Sequence, residues 1–252
     1  MPDVSWNQRS WDGDYDWNEK GEEWSEPWGG SEAQWFGSLY PRLHRFFPVG
    51  NLLEIAPGYG RWTSYLLDYV KGNYVGIDLA EKCISYCEER FSGQSNASFY
   101  CNDGLSLDRA EDGQFDMVFS FDSLVHADLD VHQRYVPQII RKLTPNGVAF
   151  VHHSNWAGSG SSKTNIHYRA EDVSAAAYAS IVCEGGGHVL IQECINWRTD
   201  EKIDAFTLFC RANRESLPGL QIENPGFMHE ASLIQDVQSH YARIGRSYQS
   251  GR

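Results

Sequence analysis

Four short apolar runs that close on acidic or amide side chains, and a fifth that closes on histidines, recur along residues 51–155, and amphipathic stretches separate them. The runs 52–55, 73–78, 97–101, 116–121 and 148–152 are brief and bounded by turn-forming residues, so each predicts a buried strand. Between them, residues 62–69, 81–91 and 131–143 read as helices. In the last of these Val136, Ile139, Ile140 and Leu143 share one face, and Thr144-Pro145-Asn146-Gly147 marks its end. Strands alternating with helices predict an α/β fold with a parallel sheet. Further on, residues 171–183 read as a helix, Gly185-Gly186-Gly187 ends it, and 188–196 with 204–210 read as a strand pair closing the sheet. A terminal helix is expected over 233–244.

The first strand closes on Glu54 and runs through Ala56-Pro57 into Gly58-Tyr59-Gly60 and a helix start. Glycines let the backbone turn tightly and approach a ligand, while free N–H groups of the following helix face the same spot. The second run closes on Asp78, 24 positions after Glu54. That is the βαβ spacing at which an acidic side chain meets ribose hydroxyls. The third ends at Asn102-Asp103-Gly104 and the fourth at Asp122. Each of these aspartates could instead cap a helix or close an Asx turn. Thr63 stands where a dinucleotide fingerprint has its third glycine, which argues against a pyrophosphate ligand.

These residues, from about 51 to 155 and more loosely through Arg211, resemble the class I S-adenosylmethionine-dependent methyltransferases. The resemblance implies a Rossmann-like fold whose mostly parallel seven-stranded sheet has an antiparallel last strand, with S-adenosylmethionine as cofactor. It implies that Glu54, Ala56, Gly58 and Gly60 hold the methionine part, that Asp78 and Leu79 meet the ribose, and that Asp103 with Gly104 meets the adenine. Phe121, between Ser120 and Asp122, would complete the floor. Residues 167–169 and 192–197 resemble, more loosely, a bacterial branch acting on sugars and surface or secreted polysaccharides.

Three parts are expected: a Trp-rich cap and helix over 1–47, the methyltransferase domain over 48–215 with loop 154–169 as a candidate substrate lid, and a C-terminal helical extension over 216–252. Six of the nine tryptophans fall within the first 35 residues, too irregularly for a helix or strand and too densely for a disordered tail. Trp24, Trp28 and Trp35 are expected to wall the pocket, while Trp6, Trp11 and Trp17 could equally be stapled to the outer core.

A formal charge of −13 with no basic stripe opposes nucleic acid as a partner. The six cysteines lack metal or redox spacing, and no apolar run approaches membrane-spanning length. A soluble cytoplasmic protein without membrane insertion is expected, with a carbohydrate or other small-molecule acceptor as partner.

Chemistry is expected beyond the carboxyl ends of the fourth and fifth strands, where Asp122, His126 and Asp128 would meet His152, His153 and Asn155. Imidazole, with a reference pKa of about 6.5, suits removal of a hydroxyl proton, so His126, His152 and His153 are candidate general bases. Adjacent strand residues face opposite ways, so His152 and His153 cannot both reach one pocket. The set points to O-methylation of a carbohydrate hydroxyl, for which Arg169 would grip a uronate carboxylate while Trp28, Tyr168 and Trp197 contact the sugar; Arg169 could instead pair with Glu171. A divalent metal on Asp122, His126, Asp128, His152 or His153 stays open. Small-molecule methylation at an aromatic or amine acceptor, and a non-catalytic binding protein, are the alternatives.

Overall fold

The computed structural model describes residues 3–161, 163–212 and 219–250. The strands are β1 (Leu52–Ile55), β2 (Tyr74–Asp78), β3 (Ala97–Cys101), β4 (Phe115–Ser120), β5 (Leu143–Ser154), β6 (Gly187–Ile195), β7 (Asp204–Arg211) and β8 (Leu220–Asn224). The helices are α1 (Val4–Gln8), α2 (Ser31–Gln34), α3 (Tyr40–Leu43), α4 (Thr63–Leu66), α5 (Glu81–Arg90), α6 (Leu129–Lys142), α7 (Trp156–Ser159), α8 (Ala175–Glu184), α9 (Phe227–Leu233) and α10 (Ser239–Ser250).

One sheet of order β3-β2-β1-β4-β5-β7-β6-β8 forms the centre. Strands β1 to β5 run parallel, β7 runs antiparallel to β5 and β6, and β8 lies parallel to β6. This is the Rossmann-like methyltransferase arrangement with one addition: eight strands among the described residues, not seven. The additional strand corrects the expectation of an all-helical extension after residue 216. Its half-exposed segment Leu220–Asn224 sits at the sheet edge and carries no apolar run to announce it.

Both faces of the sheet are covered, which is why β1 reads as an unbroken apolar run rather than an alternation. Leu52 joins a core with Trp35, Leu39 and Phe227, whereas Leu53 and Ile55 point to the other face with Val136, Ile139 and Tyr178. Helix α6 starts where Asp128 accepts the Val131 N–H at 3.0 Å, and it buries Val131, Tyr135, Val136, Ile139 and Ile140 at helical spacing. Burial of each such aliphatic side chain contributes about 1.5–3 kcal/mol. The strand order reverses between β1 and β4, so the loops after these strands part and leave a crevice.

The Trp-rich segment folds over that crevice, with the expected role changed for Trp28 and Trp35. These two are fully buried core residues, Trp28 packing against Trp197 and Phe227. Trp24 lines the crevice, and Trp6, Trp11 and Trp17 face it as well. No helix among the described residues is long and apolar enough to cross a membrane.

Candidate functional site

The turn after β1 is braced by the carboxylate that ends β2. Gly58 N–H donates to Asp78 Oδ2 at 3.0 Å, and Ala80 N–H donates to Oδ1 at 2.9 Å. Gly58 holds φ +57°, and a Cβ there would lie 2.9 Å from the Trp17 ring. Trp17 stacks on Tyr59 at 4.4 Å, and Tyr59 on Tyr86 at 4.0 Å, so three rings roof the turn. Burial pushes the Asp78 carboxyl up to about 6, which leaves it mainly ionised at neutral pH with lone pairs for incoming hydroxyls.

Beneath this roof lies a cavity of about 900 Å³ counting its mouth, lined by Ala56, Gly58, Asp78, Leu79, Gly104 and Phe121 together with Val131 and Tyr135 of α6. Its mix of apolar walls with the buried Asp78 carboxylate suits a nucleoside. Three expected cofactor residues do not line it. Glu54 turns into the core, where its carboxylate accepts hydrogen bonds from the Thr63 and Tyr74 hydroxyls and burial pushes it up to about 7. Gly60 faces Phe91, 2.5 Å from where a Cβ would stand. Asp103 is exposed and closes its own turn by accepting from Leu105 N–H at 2.9 Å and Ser106 N–H at 2.7 Å.

A second cavity opens beside the first, and Trp11, Trp24 and Asp122 line both. Its other walls are Trp6, Tyr15, Tyr168 and Trp197, with His126, His167, Arg169 and Arg198 also at its surface. Trp6 lies 5.4 Å from Tyr168, and Trp11 lies 5.3 Å from His126, both between ring centroids. Asp122 pairs with Arg61 at 2.9 Å, and the Arg61 guanidinium rests 4.5 Å above the Trp62 ring. Arg61 was not foreseen as a site residue, although a cation so soon after the glycine turn was the signal for it.

The three histidines divide. His126 lines the second cavity, and its Nδ1 lies 2.9 Å from the Tyr168 carbonyl oxygen. A carbonyl only accepts, so Nδ1 carries the proton and the neutral ring has its lone pair on Nε2. Burial, reinforced by Arg169, pushes His126 down to about 4, so the ring is neutral at pH 7. His153 points to the opposite face, stacked on Tyr178 at 3.8 Å and bonded to Thr207 Oγ1 at 2.8 Å. His152 is fully buried among Phe121, Trp197 and Phe206. Both sit on the paired part of β5, opposite Ala205 and Phe206 of β7, so neither reaches a cavity as a base, which corrects two of the three assignments.

Among the expected substrate contacts, Tyr168, Arg169 and Trp197 line the second cavity, and Trp28 does not, because it is sealed in the core. Arg169 is committed to Asp204, with Nη2 at 2.8 Å from the carboxylate, so it is free neither for a uronate nor for Glu171. The five proposed metal ligands do not converge, since Asp122 pairs with Arg61, Asp128 caps α6 and His153 faces away. The described residues bring no three of His, Cys, Asp or Glu together as a metal-holding group.

Residues 52–147 match the family described as "Methyltransferase domain". Phosphoethanolamine N-methyltransferase 1 of Triticum aestivum is 31% identical over 125 residues, 47% of this chain and 25% of that protein. Phosphoethanolamine N-methyltransferase of Plasmodium falciparum is 26% identical over 101 residues, 40% of this chain and 38% of that protein. The aligned part thus spans a quarter to two-fifths of these relatives. Among solved structures, an S-adenosylmethionine-dependent methyltransferase from Clostridium acetobutylicum superposes with a TM-score of 0.57 at 15% identity, covering 79% of this chain and 96% of that one. At that identity the likeness is one of fold.

Proposed function

We propose that this chain, whose residues 52–147 carry a methyltransferase domain, uses S-adenosylmethionine to methylate the nitrogen of a small amine. The observation that carries this reading is the aromatic lining of the second cavity, where Trp6, Trp11, Tyr15, Tyr168 and Trp197 stand together beside the first cavity. Aromatic faces attract cations, so this cavity suits an ammonium group. The N-methyltransferase names of the two aligned relatives support the same choice.

The first cavity fits the cofactor: Asp78 offers acceptors for the ribose, Gly58 lets the backbone approach, and Leu79, Val131 and Tyr135 supply apolar walls for the base. When bound, S-adenosylmethionine supplies an electrophilic methyl group on a sulfonium. Trp17 and Trp24 exclude water from above, and Asp122, held by Arg61 at 2.9 Å, forms part of the shared wall. The bound ammonium first releases a proton to solvent, after which His126 Nε2, as an acceptor, would orient a remaining amine N–H so that the nitrogen lone pair faces the first cavity. Methylation of a sugar hydroxyl loses support, because two of its three bases are sealed in the sheet and the third is pushed well below neutrality.

Incubation with methyl-labelled S-adenosylmethionine and a panel of small amines, phenols and sugars, uronates included, tests the reading. Label is expected on amine nitrogen. Label confined to phenols or sugars, or on no acceptor at all, would overturn it.

A further inference from the structure

We infer that His152 is a positioning residue, which through Asp204 and Arg169 locks the Asp122 turn and the 165–170 loop into one frame around the acceptor cavity. The inference rests on the reading of that cavity as the amine site. Asp122 and Tyr168 are both non-glycine residues in the left-handed region, at φ +61° and +52°. Such conformations persist only where the surroundings over-determine them. His152 supplies the constraint at Asp122, whose N–H donates to His152 Nδ1 at 3.1 Å.

The lone pair of Nδ1 is thereby engaged, so the ring proton stands on Nε2, which faces Asp204 Oδ2 at 3.2 Å. Asp204 is fully buried and takes Arg169 Nε at 3.0 Å and Nη2 at 2.8 Å. Burial alone would push its carboxyl up, but Arg169 and His152 together outweigh burial and hold it down at about 2. The chain beside Arg169 closes the frame: the Tyr168 carbonyl accepts from His126 Nδ1 at 2.9 Å, and Ala170 N–H donates to the Val125 carbonyl at 3.0 Å. The Asp122 backbone and the His126 ring are therefore both tied to the buried His152, Asp204 and Arg169 group, while Arg61 holds the Asp122 carboxylate at 2.9 Å. A buried ion pair adds little net stability, and its best-attested use is to specify one arrangement. Nδ1 holds the Asp122 N–H and the ring is fully buried, with Nε2 at ion-pair distance from Asp204 but without a hydrogen bond, so His152 acts through Asp122 and not on the substrate.

Three substitutions separate positioning from mere packing. In His152→Asn the amide oxygen takes the place of Nδ1 and accepts the Asp122 N–H. His152→Gln reaches toward Asp204 and leaves that N–H without its partner, and His152→Phe removes both contacts while filling the space. Each variant is assayed for amine kcat/KM, for cofactor Kd, and for hydrogen exchange at the Asp122 amide. The Phe and Gln variants are expected to lose about tenfold to a hundredfold in amine kcat/KM, the effect of displaced reacting groups, with faster Asp122 exchange and little change in cofactor Kd. The Asn variant should recover most of both. Wild-type rates and protection in His152→Phe, or equal losses in Asn and Gln that follow melting temperature alone, would overturn the inference. If the wild type methylates no amine, the functional reading fails, and Asp122 protection in His152→Asn against His152→Phe still decides whether the relay sets the turn.

Discussion

Asp78 does two things with one carboxylate, holding the glycine turn through Gly58 and Ala80 N–H and presenting its remaining lone pairs to the cavity. Asp78→Ala is expected to raise the cofactor Kd by about tenfold or more, the loss of a charge-assisted hydrogen bond, as read by calorimetry. Because burial pushes this carboxyl up to about 6, it takes up a proton as pH falls through that value, and cofactor affinity should weaken on the acid side of pH 6 and level off above pH 7. A flat affinity from pH 5 to 8 would contradict the assignment. His126→Ala should slow amine transfer while leaving cofactor affinity intact, which a kcat and Kd comparison checks. At this scale the sequence revealed residue types but not directions. Asp78 and Gly58 were legible because a turn between adjacent parallel strands has few geometries. Glu54, Asp103 and Trp28 were not, since whether a side chain turns to cavity, solvent or core depends on contacts remote in the chain.

The elements explain those differences. Strands β1, β2, β4 and β7 were legible because burial on both faces enforces apolar runs, while β8 lies largely exposed at the sheet edge and offers only Leu220 and Ile222 as apolar residues. The sequence also foretold that His152 and His153 would face opposite ways. It did not foretell that pairing of β7 along β5 would close off both. The Trp-rich segment shows the same limit: it is built of short helical pieces of differing pitch, Val4–Gln8, Arg9–Asp14, Glu22–Trp28 and Ser31–Gln34, so its tryptophans follow no single helical period. The division of tryptophans yields a prediction. Trp28→Ala should cost about 3–5 kcal/mol in urea unfolding, as for a buried aromatic. Trp17→Ala should keep most stability but weaken cofactor binding by about threefold to tenfold, because its ring roofs the Gly58 turn. Equal unfolding losses in both variants, with unchanged cofactor affinity, would contradict that division.

For the whole molecule, buried histidines shape the acid response. His126 and His132 are pushed down to about 4 and His153 to about 3, each chiefly by burial, against about 6.5 in an unfolded chain. Below pH 6.5 the unfolded state therefore binds protons that the folded state refuses, so these groups withdraw stability as pH falls toward 4. Glu54, Asp78 and Asp128, raised by burial, act in the opposite sense, so the histidine contribution is read from a single variant. His132 lies against Tyr178 at 5.1 Å, away from both cavities, and isolates the effect. His132→Phe is expected to flatten the fall in melting temperature between pH 7 and pH 5. An unchanged slope would show that His132 does not titrate as its burial demands.

The account depends most on the cavity beneath Trp17 being a nucleoside site. Calorimetric titration of the intact chain with S-adenosylhomocysteine tests that claim most directly. Saturable binding of one molecule per chain, weakened by Asp78→Ala and by Trp17→Ala, is the predicted result, and absence of any binding heat or saturation at millimolar ligand would contradict it.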